Sequence, residues 1–325
     1  MREQTAVLLG PLTTLQLGGP AARLLTAESE SDLITAAREH PEAMLLGGGS
    51  NVVLPDAGLD EVVLVRSRGM DGLRVQAGED WDGFVQHTLD ERLVGLEALS
   101  GIPGTVGASP MQNIGAYGAE VASAIRSVRV FDRREGAVVE LAAADCGFRY
   151  RSSAFKSSSR WIILSVEFAL PPGVLSAPVR YPELASMLDV ELGERAPAAE
   201  VREAVLALRR GKGMVLDPTD PDSVSAGSFF TNPVVAEAPS GAPSWPEPDG
   251  RVKVSAAWLI QQAGFERGWG QGRIGLSSKH ALALVNRGGG TAAELLEVAR
   301  TIRDGVRARF GVELCQEPVL VDAIL

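Results

Sequence analysis

Residues 101–118, GIPGTVGASPMQNIGAYG, have the clearest potential for ligand chemistry in this chain. Glycine recurs through the segment beside small polar side chains, while Ile102, Met111 and Ile114 return it to an apolar environment. Glycine lets a backbone approach a ligand closely and turn its N–H groups toward it. The composition therefore predicts a loop that presses against something large and flat, not a flexible linker.

A second glycine-rich segment lies upstream, at residues 45–54, with the sequence LLGGGSNVVL. A short apolar run leads into Gly47, Gly48 and Gly49, and Ser50 and Asn51 follow. Consecutive glycines at the end of a buried strand free several N–H groups, which can bind the oxygens of a pyrophosphate. The two segments together predict a ligand with a flat surface and a pyrophosphate.

Composition limits the class of protein. The chain has 325 residues, of which 45% are hydrophobic and 22% charged, so we expect a globular protein of two or three domains. No apolar run approaches the ~20 residues of a membrane span, and the first residues do not resemble a secretory signal. Cys146 and Cys315 fit no disulfide or metal spacing, so we expect a reducing, cytoplasmic setting.

The net charge of −10 argues against a nucleic-acid or anionic-membrane partner. An anionic ligand would need a local positive field from a few side chains. The candidates are Arg149, Arg151, Lys156, Arg209, Arg210, Lys212 and Lys253.

Hydrophobic periodicity places these segments on a mixed α and β framework. In the first half, the pattern predicts helices over 31–39 and 81–91 and strands over 43–46, 61–65, 73–77, 125–131 and 161–170, the last two with one solvated face. In the second half, it predicts helices over 198–208 and 256–263, turns over 218–225, an exposed loop over 236–250 and a strand over 281–285. A long helix should begin at Thr291, which with Glu294 fits a capping box, and end at Gly311.

Several common sites are absent from the sequence. No GxGxxG follows a strand, and GKG at 211–213 lacks the rest of a phosphate-binding P-loop. His40, His87 and His280 are scattered, so we expect structural or surface roles for them and no metal site.

The two glycine segments, extended to GGGSNVVL and GIPGTVGASPMQNIGAYGAE, resemble those of bacterial UDP-N-acetylenolpyruvoylglucosamine reductases. The resemblance runs from about residue 14 to 321. It implies an α+β protein in which an FAD-binding fold of the vanillyl-alcohol-oxidase-like group precedes a smaller α+β domain. The implied FAD-binding domain spans 1–172, in two lobes completed by 311–325. A tyrosine loop and connecting helix span 173–213, and a substrate-binding domain spans 214–310.

The resemblance implies that FAD is bound without a covalent tether and that NADPH is the hydride donor. The implied cofactor-binding residues are Gly47, Gly48, Gly49, Ser50, Asn51, Gly101, Ile102, Pro103, Gly104, Gly107, Ala108, Ser109, Gln112, Asn113, Gly115, Ala116, Tyr117 and Gly118.

The implied reaction reduces an enol ether conjugated to a carboxylate, which requires cations at the carboxylate and a proton donor at the α-carbon. The family pattern places Arg151 on the carboxylate and Ser228 as the proton donor. It places Glu317 in a hydrogen-bonding network with Arg151. Without the resemblance, these residues would be interpreted as a surface cation, a turn serine and a strand-entry residue.

Four further positions bear on the nucleotide-sugar substrate. Tyr181 matches the tyrosine loop that reaches over the diphosphate in one architectural type of the family, and Lys212 matches a lysine that adds positive charge. Asn232 would bind near the diphosphate. Trp245 is a departure, because a tyrosine often contacts the uridine end at that position. Outside these four, Ser277 also departs from the family pattern, which usually has a histidine in its place.

Three alternatives remain. One is an FAD oxidase of the same fold, although no His or Cys lies within 47–51 to tether flavin. Another is a catalytically inactive paralogue that retains flavin, and the third is a paralogue that reduces a related nucleotide sugar. Our expectation is a cytoplasmic enzyme of peptidoglycan precursor synthesis that acts as a monomer on a small nucleotide sugar.

Overall fold

The computed structural model describes residues 1–156 and 158–325 of the chain. The strands of these residues are β1 (Arg2–Leu8), β2 (Pro20–Ala27), β3 (Met44–Leu46), β4 (Val52–Val53), β5 (Leu59–Val65), β6 (Met70–Asp71), β7 (Arg74–Gln76), β8 (Gly115–Ala116), β9 (Ala119–Glu120), β10 (Ile125–Asp132), β11 (Ala137–Ala142), β12 (Trp161–Phe168), β13 (Ser225–Ser228), β14 (Val234–Val235), β15 (Ser244–Pro246), β16 (Val252–Val254), β17 (Ile274–Leu276), β18 (Ala283–Asn286) and β19 (Val319–Leu320). The α-helices are α1 (Glu30–Glu39), α2 (Trp81–Asp90), α3 (Pro182–Leu188), α4 (Ala198–Gly211), α5 (Ala256–Gln262) and α6 (Ala292–Phe310).

The chain divides into two compact units. The first unit comprises Met1–Val7, Ala21–Gly48 and Asp60–Arg210, and the second comprises Leu8–Pro20, Gly49–Leu59 and Gly211–Leu325. The boundary therefore falls between Gly48 and Gly49, inside the GGGSN segment.

The first unit contains a four-stranded sheet of order β1-β2-β5-β3, a five-stranded sheet of order β11-β10-β12-β7-β6 and the two-stranded pair β8-β9. Strands β3 and β5 are parallel, and β10, β12 and β7 are antiparallel. Helix α2 begins where the Asp80 side chain accepts the Gly83 N–H, and it buries Trp81 and Phe84 in the core. The helices predicted over 31–39 and 81–91 are confirmed.

The predicted strand over 161–170 exists as β12, but the expected solvated face is wrong. Strand β12 lies between β10 and β7, and Ile162, Leu164, Ser165 and Val166 are all buried. A central strand covered on both faces loses strict apolar–polar alternation, which is why its pattern was irregular.

Helices α3 and α4 form a small separate core of the first unit. Val179 and Leu184 pack with Val201, Ala204 and Val205 of α4. The predicted tyrosine loop is thus partly helical. Tyr181 is the N-cap residue of α3, and Pro182 occupies the first helical position, where proline is favoured.

The second unit contains two three-stranded antiparallel sheets, of orders β13-β18-β17 and β14-β16-β15, packed with α5 and α6. The predicted capping box of α6 is confirmed, because the Thr291 side chain accepts the Glu294 N–H and the Glu294 carboxylate accepts the Thr291 N–H. Residues 236–250 are exposed or half-buried, as the predicted exposed loop requires, but they are not loop throughout. Strand β15 lies within that range and pairs with β16.

The C-terminal residues also pack in the second unit. The Thr231 N–H donates to the Cys315 carbonyl oxygen, and β19 pairs in parallel with β4. Whether 311–325 complete the FAD-binding domain in function stays a prediction.

Over the described ranges 1–156 and 158–325, no helix has the length and apolar character needed to cross a membrane. The same ranges contain no cluster of three His, Cys, Asp or Glu side chains suited to a metal ion.

Candidate active site

The two glycine segments meet in the first unit. A Cβ atom on Gly48 would lie 2.5 Å from the Cα of Gly104, and one on Gly47 would lie 3.0 Å from Thr105 Oγ1. Only glycine allows two backbones to approach this closely. The start of the GGGSN segment and the 101–118 loop are therefore in contact, as a shared ligand site requires.

Main-chain hydrogen bonds fix the start of the 101–118 loop. The Gly101 N–H donates to Asp82 Oδ1 at 2.6 Å, and the Gly107 N–H donates to the Ala77 carbonyl oxygen at 2.9 Å. The Gly104 carbonyl oxygen accepts the Trp81 N–H at 3.1 Å. The amides of Gly101 and Gly107 thus serve the loop's own fold, although the sequence suggested that amides here would face a ligand.

Thr105 carries a buried hydroxyl where the two segments meet. The residue is 7% exposed, and Oγ1 has no hydrogen-bond partner among the described residues. A buried hydroxyl without a partner costs free energy, so such an atom is expected to have a ligand or water partner. A glycine cradle beside an unsatisfied donor fits a cofactor that brings acceptor oxygens.

The end of the loop is held in an unusual backbone conformation. Asn113, Tyr117 and Arg151 have φ values of 49°, 49° and 51°, which side chains other than glycine rarely adopt. Strained positions of this kind cluster at functional sites, where surrounding contacts enforce them. Here the Asn113 side chain provides such contacts by donating to Glu120 Oε2 and accepting the Ala122 N–H.

Arg151 lies against this part of the loop. Its Nη2 donates to the Gly115 carbonyl oxygen at 2.6 Å, and its Nη1 lies 3.5 Å from the Asn113 carbonyl oxygen. A Cβ on Gly115 would lie 2.8 Å from Arg151 Nη1, so glycine is needed to admit the guanidinium. The residue predicted to bind the substrate carboxylate therefore contacts the loop expected to hold the cofactor.

Tyr117 and Tyr181 join the loop to helix α3. Their rings contact edge to face, with centroids 5.4 Å apart, and Tyr181 remains 40% exposed. Burial raises the pKa of the Tyr117 phenol to about 12. The loop and the segment expected to reach over the diphosphate are thus in direct contact.

Helix α4 brings buried cations to the same loop. Arg202 forms a two-pronged ion pair with Asp82, and a Cβ on Gly101 would lie 3.3 Å from Arg209 Nε. Burial lowers the pKa of Arg209. The Arg209–Arg210–Lys212 cluster is therefore partly internal to the first unit and not simply a solvated helix end.

In the second unit, Ser228 lies at the end of β13. Its Oγ is 3.4 Å from His280 Nε2. The Glu317 N–H donates to the carbonyl oxygen of Phe229 at 2.7 Å, and the Asn51 amide lies 3.4 Å from the Glu317 carbonyl oxygen. Two of the three predicted catalytic residues, Ser228 and Glu317, thus lie on adjacent backbone segments.

The remaining second-unit predictions are more scattered. Asn232 Oδ1 accepts the Ala256 N–H and caps α5, so part of this side chain has a structural task. Trp245 is 47% exposed on the edge strand β15, opposite Lys253, whose ammonium pairs with Glu247 at 2.8 Å. Lys212 directly follows α4.

The first unit contains the predicted residues Gly47, Gly48, Gly101, Ile102, Pro103, Gly104, Gly107, Ala108, Ser109, Gln112, Asn113, Gly115, Ala116, Tyr117, Gly118, Arg151 and Tyr181. The second unit contains Gly49, Ser50, Asn51, Lys212, Ser228, Asn232, Trp245 and Glu317.

Two residues of interest were missed by the sequence interpretation. His280 was expected to be structural or at the surface, but its ring lies at Ser228. Thr105 was not among the predicted cofactor-binding residues, although it is a hydroxyl residue that directly follows Gly104 in the loop.

Comparison with known families agrees with this layout. Residues 21–142 match the FAD binding domain family, and residues 218–321 match the C-terminal domain of UDP-N-acetylenolpyruvoylglucosamine reductase. The predicted α+β class, with an FAD-binding domain ahead of a second domain, is confirmed.

Relatives match over nearly the whole chain. The reductase of that name from Salinispora arenicola is 52% identical, covering 98% of this chain and 95% of its own length. The one from Thermobifida fusca is 48% identical, covering 98% of each. The crystal structure of the Thermus caldophilus enzyme superposes with a TM-score of 0.71 at 28% identity, covering 98% of this chain and 99% of that one. The resemblance inferred from the glycine segments is thereby confirmed, and the chain belongs to the UDP-N-acetylenolpyruvoylglucosamine reductase family.

Proposed function

We propose that this protein reduces UDP-N-acetylenolpyruvoylglucosamine to UDP-N-acetylmuramate with NADPH, in the synthesis of peptidoglycan precursors. The observation that carries the proposal is the 52% identity to a reductase of that name over 98% of this chain. FAD, when bound, supplies the hydride chemistry between NADPH and substrate.

The glycine cradle formed by Gly47, Gly48 and Gly104 supports FAD binding, because no side chain could be accommodated between the two backbones. Thr105 Oγ1 would donate to a cofactor oxygen, most simply of the diphosphate, given its position beside Gly47. No residue of the 47–51 loop offers a tethering thiol or imidazole, so FAD should be released intact on denaturation.

Ser228 would deliver the proton to the substrate α-carbon, and the contact with His280 supports this role. Serine alone is a weak acid, so it needs a neighbour that can replace its proton as it leaves. A protonated His280 would donate from Nε2 to Ser228 Oγ and then regain a proton from solvent. The 3.4 Å separation is long for a hydrogen bond, as catalytic contacts often are before substrate binds.

Arg151 and Glu317 would stabilise the charge that develops on the substrate carboxylate. The guanidinium is planar and offers paired donors, which suits a carboxylate, and the Gly115 and Asn113 carbonyl oxygens orient it. Tyr181, Lys212, Asn232 and Trp245 would bind the nucleotide sugar. In domain terms, 1–172 with 311–325 would bind FAD, 173–213 would supply the tyrosine loop, and 214–310 would bind substrate.

The test separates the two half-reactions under anaerobic conditions. NADPH should bleach the flavin absorbance, and UDP-N-acetylenolpyruvoylglucosamine should restore it. The matched control is UDP-N-acetylglucosamine, which lacks the enol ether and should not restore absorbance.

Each competing function gives a different result. An oxidase would be reoxidised by oxygen after reduction by a sugar or alcohol, and a paralogue would respond only to another enolpyruvyl nucleotide. Flavin that stays with the denatured protein would contradict non-covalent binding. We expect the active species to be a monomer that works in the cytoplasm. Light scattering at working concentration would check that it is a monomer.

A further inference from the structure

The loop that carries His280 is fixed from within by Ser277. This serine is fully buried, and its Oγ accepts the N–H groups of Lys279 at 3.0 Å and of His280 at 3.1 Å. The Ser277 N–H donates to the Ala283 carbonyl oxygen at 2.9 Å, which ties the loop to β18. The backbone of His280 is therefore set by one buried hydroxyl.

Asp222 holds the same loop from the other side. It is 8% exposed, and its carboxylate accepts the Ser278 N–H at 3.0 Å and the Ser278 hydroxyl at 2.5 Å. Burial alone would raise the pKa of Asp222, but hydrogen bonds from Ser278 and Ser277 hold it below the ordinary value. Asp222 is thus an ionised acceptor linked through Ser277 to the His280 N–H.

No step of the proposed reaction uses the Asp222 carboxylate directly. Asp222 has no contact with Ser228 or Glu317 among those described above, and the hydrogen bonds from Ser278 offset the cost of burying its charge. What depends on it is the position of the imidazole. At 3.4 Å, Nε2 and Oγ are at the outer limit of hydrogen bonding, so a small displacement of the loop would separate them.

We propose that Asp222 is a positioning residue for proton delivery, which acts through Ser277 and Ser278 to keep His280 Nε2 at Ser228 Oγ. The inference rests on the proposed function, because it assigns a task within the protonation step. It concerns only that step, so flavin reduction by NADPH should not depend on Asp222.

The first test is Asp222→Ala, followed in the two half-reactions. Flavin reduction by NADPH should keep its rate, while reoxidation by UDP-N-acetylenolpyruvoylglucosamine should slow by roughly 10- to 100-fold, as for a catalytic group misplaced by ~1 Å. Lys279→Ala is the matched control on the same loop. It removes the half-exposed ion pair with Asp220 and a weaker charge attraction to Asp222, but it keeps the Lys279 N–H that Ser277 accepts and the contacts of Ser278. Both half-reactions should therefore stay within about fivefold of the wild type.

The second test asks whether Asp222 acts through His280. In a His280→Gln background, Asp222→Ala should add no further slowing, because residues that act as one unit are not additive. Ser278→Ala removes only the hydroxyl contact and keeps the Ser278 N–H. Ser278→Ala should slow reoxidation less than Asp222→Ala does, and it should cause no further slowing in the His280→Gln background. It replaces Asp222→Ala in the test if that variant does not fold.

The outcomes are distinct. Equal slowing of both half-reactions, unchanged reoxidation, or losses that add to that of His280→Gln would overturn the positioning role. A wild-type flavin that UDP-N-acetylenolpyruvoylglucosamine fails to reoxidise would instead overturn the proposed function.

Discussion

Thr105→Val should make the cofactor-free protein more stable and its FAD weaker bound. Valine has nearly the shape of threonine but replaces the buried Oγ1, which lacks a partner among the described residues, with a methyl group. In the apoprotein this removes an unsatisfied polar atom. In the holoprotein it removes a donor that we assign to the cofactor.

The structure sets the size of both effects. An unsatisfied buried hydroxyl costs about 1–3 kcal/mol, so the apoprotein should gain ~1 kcal/mol or more in unfolding free energy. For a domain of ~150–250 residues, each 1 kcal/mol raises Tm by ~2–4 °C. A hydrogen bond to a diphosphate oxygen is worth ~1.5–3 kcal/mol, which gives roughly 10- to 150-fold weaker FAD. A bond to a neutral flavin carbonyl would give only ~2- to 12-fold.

The assay is an FAD titration of apoprotein by flavin fluorescence, paired with thermal unfolding of the same apoprotein. Thr105→Ser is the control, because it retains the hydroxyl and should retain most of the affinity. Unchanged FAD affinity in Thr105→Val would show that the hydroxyl does not face the cofactor. A lower Tm of the valine apoprotein would show that the hydroxyl already has a partner, such as a bound water.

The remaining predictions concern single side chains. Ser228→Ala should leave flavin reduction by NADPH intact and slow reoxidation by substrate ~10²–10⁴-fold in stopped-flow measurements, and equal slowing of both would mark it as structural. Arg151→Lys should weaken substrate binding in a titration of the oxidised enzyme, because an ammonium cannot replace the guanidinium fork, and unchanged binding would contradict its role. Tyr181→Phe should weaken substrate roughly 10- to 150-fold by removing one hydrogen bond to a charged group, with NADPH reduction as the internal control. Because burial raises the pKa of Tyr117 to about 12, its stabilising contribution is complete below pH 10 and is lost as pH rises from 10 toward 12. Unfolding free energies of wild type and Tyr117→Phe should therefore differ in slope only over that range.

The sequence predicted every α-helix of the described residues except α3, because local signals agreed with packing, but it missed many of the short strands. The Thr291–Glu294 capping box and the apolar stripe through Leu295 and Ile302 indicated α6 correctly. Prediction failed where neighbours decide the pattern. Strand β12 is buried on both faces, as its run of consecutive buried residues shows, and β15 pairs along the edge of β16, which lies later in the chain.

The residues of the candidate site also differ in how far the local sequence reveals their role. Glycines were good predictors, because the need for close approach is visible in one residue type, and Gly48 does lie against Gly104. The partner of Ser228 could not be found from the sequence, because 52 residues separate it from His280. The role of a histidine cannot be inferred from its residue type alone, because it depends on which group the fold places beside its ring.

That difference explains why the supporting residues of this site are harder to predict than the residues that would react. Ser228 belongs to a local motif, AGSFF, that is recognisable as a unit. In the sequence, Asp222 is an ordinary turn residue and Ser277 only a departure from the family pattern. Their importance follows from hydrogen bonds between distant segments, such as the Asp222–Ser278 contact across 56 residues. A site of this kind depends on position to a fraction of an ångström, so the residues that set position should matter to rate nearly as much as those that transfer the proton. The half-reaction measurements on Asp222→Ala and Ser228→Ala place both kinds of residue on one scale, since each reports the same protonation step.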